Sequence, residues 1–208
     1  MVSSDNWLAQ GRRDIDARAA PRNGQGDPGS IGKALPVMNP IRLTLRPAAL
    51  ADIAAVMAIE RSPDFERFVA HSEEEEHRAM LASPSHAYRL GVGESDAVEA
   101  FAILRGLGDP HANLYLKRVA VARPGQGLGT AFLSLVLDEA FGLLGAERFY
   151  LDCFADNARA QRSYEKLGFT RDGVLRQAFR LADGRRSDLI MMAILKTEWE
   201  AWRSRSTG

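Results

Sequence analysis

The chain has 208 residues, and its 27 basic and 27 acidic side chains give a formal net charge of zero. This length suits one domain with a sizeable core, and the balanced charge removes the broad electrostatic attraction that nucleic acids and anionic membranes exploit. The single cysteine, Cys153, excludes an intrachain disulfide, and no apolar run approaches the roughly 20 residues that span a bilayer. We therefore predict a cytoplasmic protein that binds neither nucleic acid nor membrane.

The first 40 residues differ in composition from the rest of the chain. Gly, Pro, Asp, Arg, Ser and Asn dominate there, and residues 20–30 show no hydrophobic period. We predict a disordered N-terminal extension over residues 1–40 and a single domain over residues 41–208. Met38 lies directly before the first strand-like segment, and we hypothesise that translation begins at Met38.

The first half of the domain contains both strand and helix patterns. Ile41–Arg46 alternates apolar and polar residues like a half-buried strand, and Leu50–Glu60 repeats apolar residues at helical spacing. Ser72, followed by four glutamates, indicates a second, capped helix with its acidic residues near the positive end. Three strand candidates with short turn-rich joints follow and indicate antiparallel hairpins: Ala87–Val92, Val98–Leu104 and Leu114–Val121.

The second half continues with helices and strands after a glycine-containing loop. Helical patterns cover Thr130–Leu144 and Asn157–Leu167, and the strand pattern Phe149–Phe154 lies between them. The last two strand patterns, Val174–Leu181 and Leu189–Leu195, flank the turn signal Asp183-Gly184. This order predicts a mixed α/β fold of α+β type, with helices flanking one mixed, mostly antiparallel sheet of about six or seven strands.

The loop Pro124–Gly129 combines a strand end, a turn and a helix start. Its three glycines remove side chains that would block close approach, while backbone N–H groups and the positive helix end converge on one point. Such a point suits a pyrophosphate, although a tight strand-to-helix turn alone also uses glycine. A P-loop needs a lysine after its last glycine, whereas Thr130 follows Gly129 here. A dinucleotide fold is also disfavoured, because its glycine motif lies in the first strand–helix unit and this loop follows about four strands.

A second motif follows the loop and completes a family resemblance. The segment reads Asn-x-x-Ala-x-x-x-Tyr-x-x-x-Gly-Phe, through Asn157, Ala160, Tyr164, Gly168 and Phe169. With the glycine loop, it resembles the Gcn5-related N-acetyltransferase (GNAT) family over about residues 41–196. In that family a loop of the form Arg/Gln-x-x-Gly-x-Gly/Ala follows the fourth strand and binds the pyrophosphate of acetyl-CoA. The resemblance therefore implies a GNAT-type fold.

The resemblance also implies a set of cofactor-binding positions. The fourth strand would offer main-chain groups to the pantetheine arm and to the acetyl oxygen, and the loop would hold the pyrophosphate. Asn157 would contact pantetheine, cap its helix, or do both. Pro124 departs from the family pattern, since the family often has Arg or Gln there. The implied main-chain positions are Val119, Ala120, Val121, Gly125, Gln126, Gly127, Leu128, Gly129 and Thr130.

Two side chains are candidates for proton transfer. Tyr164 lies about two helical turns after Asn157 and suits the role of general acid toward the leaving thiolate, although a packed tyrosine is the structural alternative. Asp152 lies twelve positions before Tyr164. In the branch of the family containing ribosomal-protein N-terminal acetyltransferases, an acidic residue at that spacing is taken as the general base. Glu99 and His111 are competing bases, and a structural role for Asp152 also stays open.

We predict an acetyl-CoA-dependent N-acetyltransferase that uses acetyl-CoA as cosubstrate and no metal. The acceptor would be a primary amine, either a small molecule or a protein N-terminus. The segments 173–176 and 189–192 resemble the branch containing ribosomal-protein N-terminal acetyltransferases. A non-catalytic acyl-CoA-binding module is the alternative, and the oligomeric state stays open, with a homodimer compatible with the sequence. Four arginines of the last hairpin either face solvent or attract an acidic acceptor; they are Arg176, Arg180, Arg185 and Arg186.

Overall fold

A computed structural model describes residues 42–63, 65, 71–181 and 183–206. The predicted extension over residues 1–40, with Met38, lies outside the described residues. The strands are β1 Thr44–Pro47, β2 His86–Val92, β3 Val98–Arg105, β4 Asn113–Val121, β5 Arg148–Phe154, β6 Thr170–Arg180 and β7 Arg186–Leu195. The helices are α1 Ile53–Glu60, α2 Glu74–Ala82, α3 Leu128–Gly142, α4 Ala158–Lys166 and α5 Lys196–Ser206, and a 3₁₀ turn over Leu50–Asp52 precedes α1.

The seven strands form one sheet in the order β1-β2-β3-β4-β5-β7-β6. Every neighbouring pair is antiparallel except β4 and β5, which are parallel. The predicted mixed, mostly antiparallel sheet flanked by helices is therefore confirmed. Because parallel neighbours need a crossover, α3 connects β4 to β5.

The parallel strands β4 and β5 pair over only a short part of their length. Their register covers only Asn113–Tyr115 against Arg148–Tyr150, while β5 pairs along its whole length with β7. The carboxyl ends of β4 and β5 therefore diverge, and a gap opens between them at the end where the glycine loop follows β4.

The core lies mainly between the sheet and α3, whose apolar stripe is fully buried at Phe132, Val136 and Leu137. Alternation along β5 directs Phe149 toward α3, where its ring lies 6.4 Å from that of Phe141. Cys153 shares this face of β5 and is fully buried, as expected for a small apolar side chain. The other face of the sheet is covered by α1 and α2.

The N-cap of helix α2 lies one residue later than predicted. Glu73 is the N-cap, and its N–H donates to the Glu76 carboxylate at 3.2 Å. Ser72 is buried instead, and its N–H donates to Oε1 of Glu60 at 2.7 Å. The prediction of Ser72 as the cap is wrong because the carboxylate of α1 takes the serine away from the helix start.

The last helix, α5, has no counterpart among the predicted elements. Its two tryptophans stack with their ring centroids 4.8 Å apart, and the indole N–H of Trp199 donates to Asp138 of α3 at 3.2 Å. Its sequence is mostly polar, so its packing against the core depends on a few aromatic contacts. Strand β6 also begins four residues earlier than the prediction, at Thr170 rather than Val174.

Candidate active site

The glycine loop turns sharply between β4 and α3. Gly125 and Gly127 have φ angles of 88° and 80°, which lie in the left-handed region that glycine adopts without strain. Gly127 is the N-cap of α3, and its carbonyl accepts the N–H of Ala131 at 3.1 Å. The N–H groups of the first turn of α3 therefore point outward at the loop, as an anion site requires.

A cavity of about 220 Å³ lies against this loop. It brings together several predicted positions with four residues that the sequence analysis did not predict. Its lining residues are Val121, Gly125, Gly127, Gly129, Thr130, Arg159, Arg162, Ser163 and Lys166. Two predicted positions of the loop are not among the lining residues, since the Leu128 side chain is buried in the core and Gln126 is exposed. These two residues can offer a ligand in the cavity only main-chain groups.

Helix α4 supplies the cationic side of the cavity. A Cβ atom built on Gly125 would lie 2.9 Å from Nη2 of Arg159, so this arginine reaches directly over the loop. Arg159 thus places a cation at the loop from α4, whereas Pro124, at the loop position where the family often has Arg or Gln, has no charged side chain. Arg159, Arg162, Ser163 and Lys166 follow helical spacing, and this pattern within the Asn157–Phe169 segment was the available sequence signal.

The predicted main-chain positions of β4 lie along the gap. Val119, Ala120 and Val121 are buried and pair in register with Ala102, Phe101 and Ala100 of β3. Along the described residues, the register with β5 ends before these three positions. The register with β3 also shifts between Ile103 and Leu104, where β4 contains one extra residue, Lys117. Such a bulge bends the strand and reorients its carbonyl and N–H groups.

Asp152 lies on β5 beside the gap and is only 4% exposed. The phenol of Tyr115, on β4, donates to its Oδ1. The rings of Tyr115 and Tyr150 lie 5.0 Å apart, so both tyrosines share the face of the sheet that carries Asp152. The structure thus holds this carboxylate in place from the neighbouring strand, and Tyr115 is a site residue that the sequence analysis missed.

Tyr164 lies on α4, on the opposite face of the sheet. Its side chain is 2% exposed, and its ring centroid lies 5.7 Å from that of Phe169. Phe169 in turn contacts Phe149 of β5 at 6.1 Å. The Asp152 side chain therefore projects from one face of β5 and Tyr164 packs over the other, which leaves each predicted proton-transfer group on its own side of the sheet.

Asn157 is the N-cap of α4, as one of its two predicted roles requires. Its Oδ1 accepts the N–H of Ala160 at 3.0 Å, and the residue is 3% exposed. The amide nitrogen Nδ2 is buried without a hydrogen-bond partner among the described residues. A buried donor of this kind needs an acceptor, so capping leaves half of this side chain available to a ligand.

The two competing bases lie in less suitable positions. Glu99 forms an ion pair with Arg123 at 2.7 Å. His111 is exposed in the turn before β4, and the eight residue steps from Asn113 to Val121 place the glycine loop about 26 Å farther along the strand. The described residues contain no group of three or more His, Cys, Asp or Glu side chains arranged to hold a metal. No helix in the described ranges is long and apolar enough to cross a membrane.

A buried polar network lies behind the site, on the face that α1 and α2 cover. Arg118 donates to Glu60 Oε2, His77 Nε2 lies 3.4 Å from the same oxygen, and His77 Nδ1 lies 2.9 Å from the hydroxyl of Tyr88. Arg118 follows the bulge residue on β4, so the network supports the strand that borders the gap. Burial alone would raise the pKa of Glu60, but His77, Arg118 and the Ser72 N–H outweigh it and hold that pKa below its usual value.

Residues 42–170 match the family model described as Acetyltransferase (GNAT) domain. The chain belongs to this acetyltransferase family. The predicted family is confirmed, and the glycine loop, the β4–β5 gap and α4 all fall within the matched residues. The hairpin β6–β7 lies almost wholly beyond them.

Two curated relatives act as points of comparison. Spermidine N(1)-acetyltransferase of Vibrio cholerae serotype O1 is 30% identical over 81 residues, which cover 39% of this chain and 46% of that protein. Mycothiol acetyltransferase of Kineococcus radiotolerans is 35% identical over 131 residues, which cover 58% of this chain and 40% of that protein. The chain thus spans less than half the length of both relatives. Neither is a ribosomal-protein acetyltransferase, so the narrower resemblance to that branch is not what these relatives show.

Solved structures share the fold. The spermidine N-acetyltransferase from Vibrio cholerae in complex with CoA and spermine has a TM-score of 0.68 at 20% identity and covers 76% of this chain and 98% of that chain. Its K23-Q34 chimera with hSSAT gives the same TM-score, identity and coverages. At this level of identity the similarity establishes the GNAT fold alone.

Proposed function

We propose that this protein transfers the acetyl group of acetyl-CoA directly to a primary amine. The observation that carries the proposal is the cationic cavity at the glycine loop, which lies where β4 and β5 diverge in a GNAT domain. A pyrophosphate in the cavity would leave the pantetheine arm free to follow the gap toward Asp152.

The residues present fit acetyl-CoA. The loop is a cradle that a Cβ atom at Gly125 would fill, and the buried Nδ2 of Asn157 offers a donor to a pantetheine amide. Val119, Ala120 and Val121 form a β4 edge that does not pair with β5, and main-chain N–H groups there can donate hydrogen bonds to the acetyl oxygen as it gains negative charge.

The proposed reaction assigns one proton transfer to each face of β5. A neutral amine attacks the thioester carbonyl, so that a C–N bond forms and the C–S bond breaks. Asp152 accepts the proton that the amine loses, directly or through water, and Tyr115 holds its carboxylate in place. Tyr164 donates a proton to the leaving thiolate, and the products are an amide and free CoA.

The acceptor is a small amine or a protein N-terminus, with the relatives favouring small amines. The β6–β7 hairpin limits the choice, because its arginines are exposed and Arg180 lies opposite Arg186 in register. Like charges in directly opposite positions destabilise a hairpin, and a nearby anion relieves this repulsion. An amine that carries a carboxylate therefore fits better than a polycation such as spermidine.

Release of free thiol from acetyl-CoA tests the proposal. We expect thiol and acetylated amine in equal amounts with at least one member of a panel containing spermidine, an α-amino acid amide, a carboxylate-bearing amine and a short peptide. Tyr164→Phe should lower turnover about 100-fold while CoA affinity stays unchanged, because the ring keeps its contact with Phe169. Tyr88→Phe removes another buried phenol, whose partner is His77 on the face of α1 and α2, and should lower stability more than turnover.

A non-catalytic acyl-CoA-binding module predicts a different result. CoA would bind, but no acceptor would cause thiol release, and Tyr164→Phe would change nothing that can be measured. That pattern would replace the transferase proposal.

A further inference from the structure

The row of cations along α4 is longer than a pyrophosphate needs. Arg159 to Lys166 spans seven residues, which is about 10 Å along a helix axis. A pyrophosphate diester is only a few bonds long and carries two charges. Arg159 reaches over the loop at Gly125, whereas Arg162 and Lys166 line the same cavity one and two turns farther along.

Two of these cations form no ion pair within the described residues. Arg162 and Lys166 are both exposed and have no carboxylate partner there, although Glu165 is their neighbour in sequence. The opposite face of α4 buries Ala160, Tyr164 and Leu167, so packing of the helix does not require either cation. A charge retained at a cavity without a counterion indicates that the counterion is a ligand.

Building on the proposed function, we propose that Arg162 and Lys166 form a subsite for the 3′-phosphate of CoA. This monoester carries about 1.5 to 2 negative charges at pH 7, in addition to the two of the pyrophosphate. Arg159 and the glycine loop then serve the pyrophosphate. One group of cations therefore contacts the pyrophosphate and the other contacts the 3′-phosphate. As a result the enzyme discriminates CoA from 3′-dephospho-CoA, which lacks only that phosphate.

Calorimetric titration with CoA and 3′-dephospho-CoA tests this assignment. We expect CoA to bind about tenfold more tightly at low salt, because exposed charge-assisted contacts are individually modest. Arg162→Gln and Lys166→Gln should each weaken CoA about threefold and leave 3′-dephospho-CoA unchanged. Arg205→Gln removes an exposed cation of α5 outside the cavity and should leave the preference intact. The preference should also shrink at higher ionic strength.

Two outcomes would overturn the subsite. Equal affinities for the two ligands, with thiol release intact, would exclude it while leaving the transferase proposal standing. Variants that weaken both ligands equally would assign these cations to the pyrophosphate instead. If neither ligand binds and no acceptor releases thiol, the proposed function fails and the subsite fails with it.

Discussion

The basic side chains on the two faces of the sheet have opposite environments. On the face of α3 and α4, Arg162 and Lys166 border an open cavity and form no ion pair within the described ranges. On the face of α1 and α2, Arg118 is 2% exposed and donates to Glu60, which is fully buried. The difference indicates that the cations at the cavity are available to a ligand, whereas Arg118 serves the fold.

This contrast predicts that removal of a cation weakens ligand binding on one face and folding stability on the other. A cation at the cavity is exposed, so its removal weakens ligand binding and barely affects folding. A cation in the network neutralises a buried carboxylate, and its removal leaves that carboxylate without compensation in a low-dielectric interior.

The largest expected effect is on folding, from Arg118→Met. We expect this variant to lose about 3–5 kcal/mol in free energy of unfolding, measured by urea titration, because Glu60 stays buried without its cation. The double variant Glu60→Met with Arg118→Met should be more stable than Arg118→Met alone. Additive losses in the double variant would contradict a coupled pair. Arg78→Met, which removes the exposed pair with Glu74, should cost less than about 1 kcal/mol.

Gly125→Ala should have the next largest effect, on the cavity face. Its φ of 88° costs an alanine roughly 1–2 kcal/mol, and the new Cβ would lie 2.9 Å from Nη2 of Arg159. We expect CoA affinity to fall at least tenfold in titration, with a small loss of stability. Gly108→Ala is the matched control, since Gly108 also has a positive φ, of 77°, but its Cβ would meet nothing within 4 Å. Equal CoA affinity in the two variants would argue against the loop as the phosphate site.

The sequence predicted the cavity face better than the network face. The glycine loop and the Asn157–Phe169 motif are local patterns, so both can be found in the sequence, and the GNAT resemblance implies their roles. The cations of α4 were within reach of the same reasoning, because Arg159, Arg162 and Lys166 obey helical spacing on the face opposite Tyr164.

The network face was beyond such reasoning. Glu60 and Arg118 are 58 positions apart, and their contact depends on how α1 packs over β4. The same holds for Tyr115 and Asp152, which are 37 positions apart and meet only because β4 and β5 are neighbours. Spacing identifies groups that share one element, whereas pairs between elements need the tertiary arrangement.

Tyr115→Phe probes a residue that belongs neither to the cavity cations nor to the buried Arg118–Glu60 network. It keeps the ring contact with Tyr150 and removes the phenol that donates to Asp152. We expect turnover to fall about fivefold to tenfold at unchanged CoA affinity, because the Asp152 carboxylate loses the donor that holds it in place. A purely structural phenol would change stability and leave turnover where it was.

The smallest effect concerns His86, near the open end of the network face. Burial, together with the charges of Arg105 and Lys117, lowers the pKa of His86. A histidine with a lowered pKa favours its neutral form in the folded state, so its protonation favours unfolding. Its stabilising effect is therefore complete above the unfolded pKa of about 6.5 and declines as the pH falls through that value toward the folded pKa.

Thermal unfolding between pH 7.5 and 5.5 measures this decline. His86→Asn cannot take up a proton in that window, so its Tm should fall less than that of the parent protein, by roughly 1–2 °C. The carboxylates with lowered pKa values, Glu60 and Asp52, keep their stabilising effect across this range and lose it only at lower pH, so they do not obscure the comparison. Parallel curves for the two proteins would mean that His86 contributes nothing. The acid sensitivity that Glu60 gives this face would be unaffected, because it lies below this pH window.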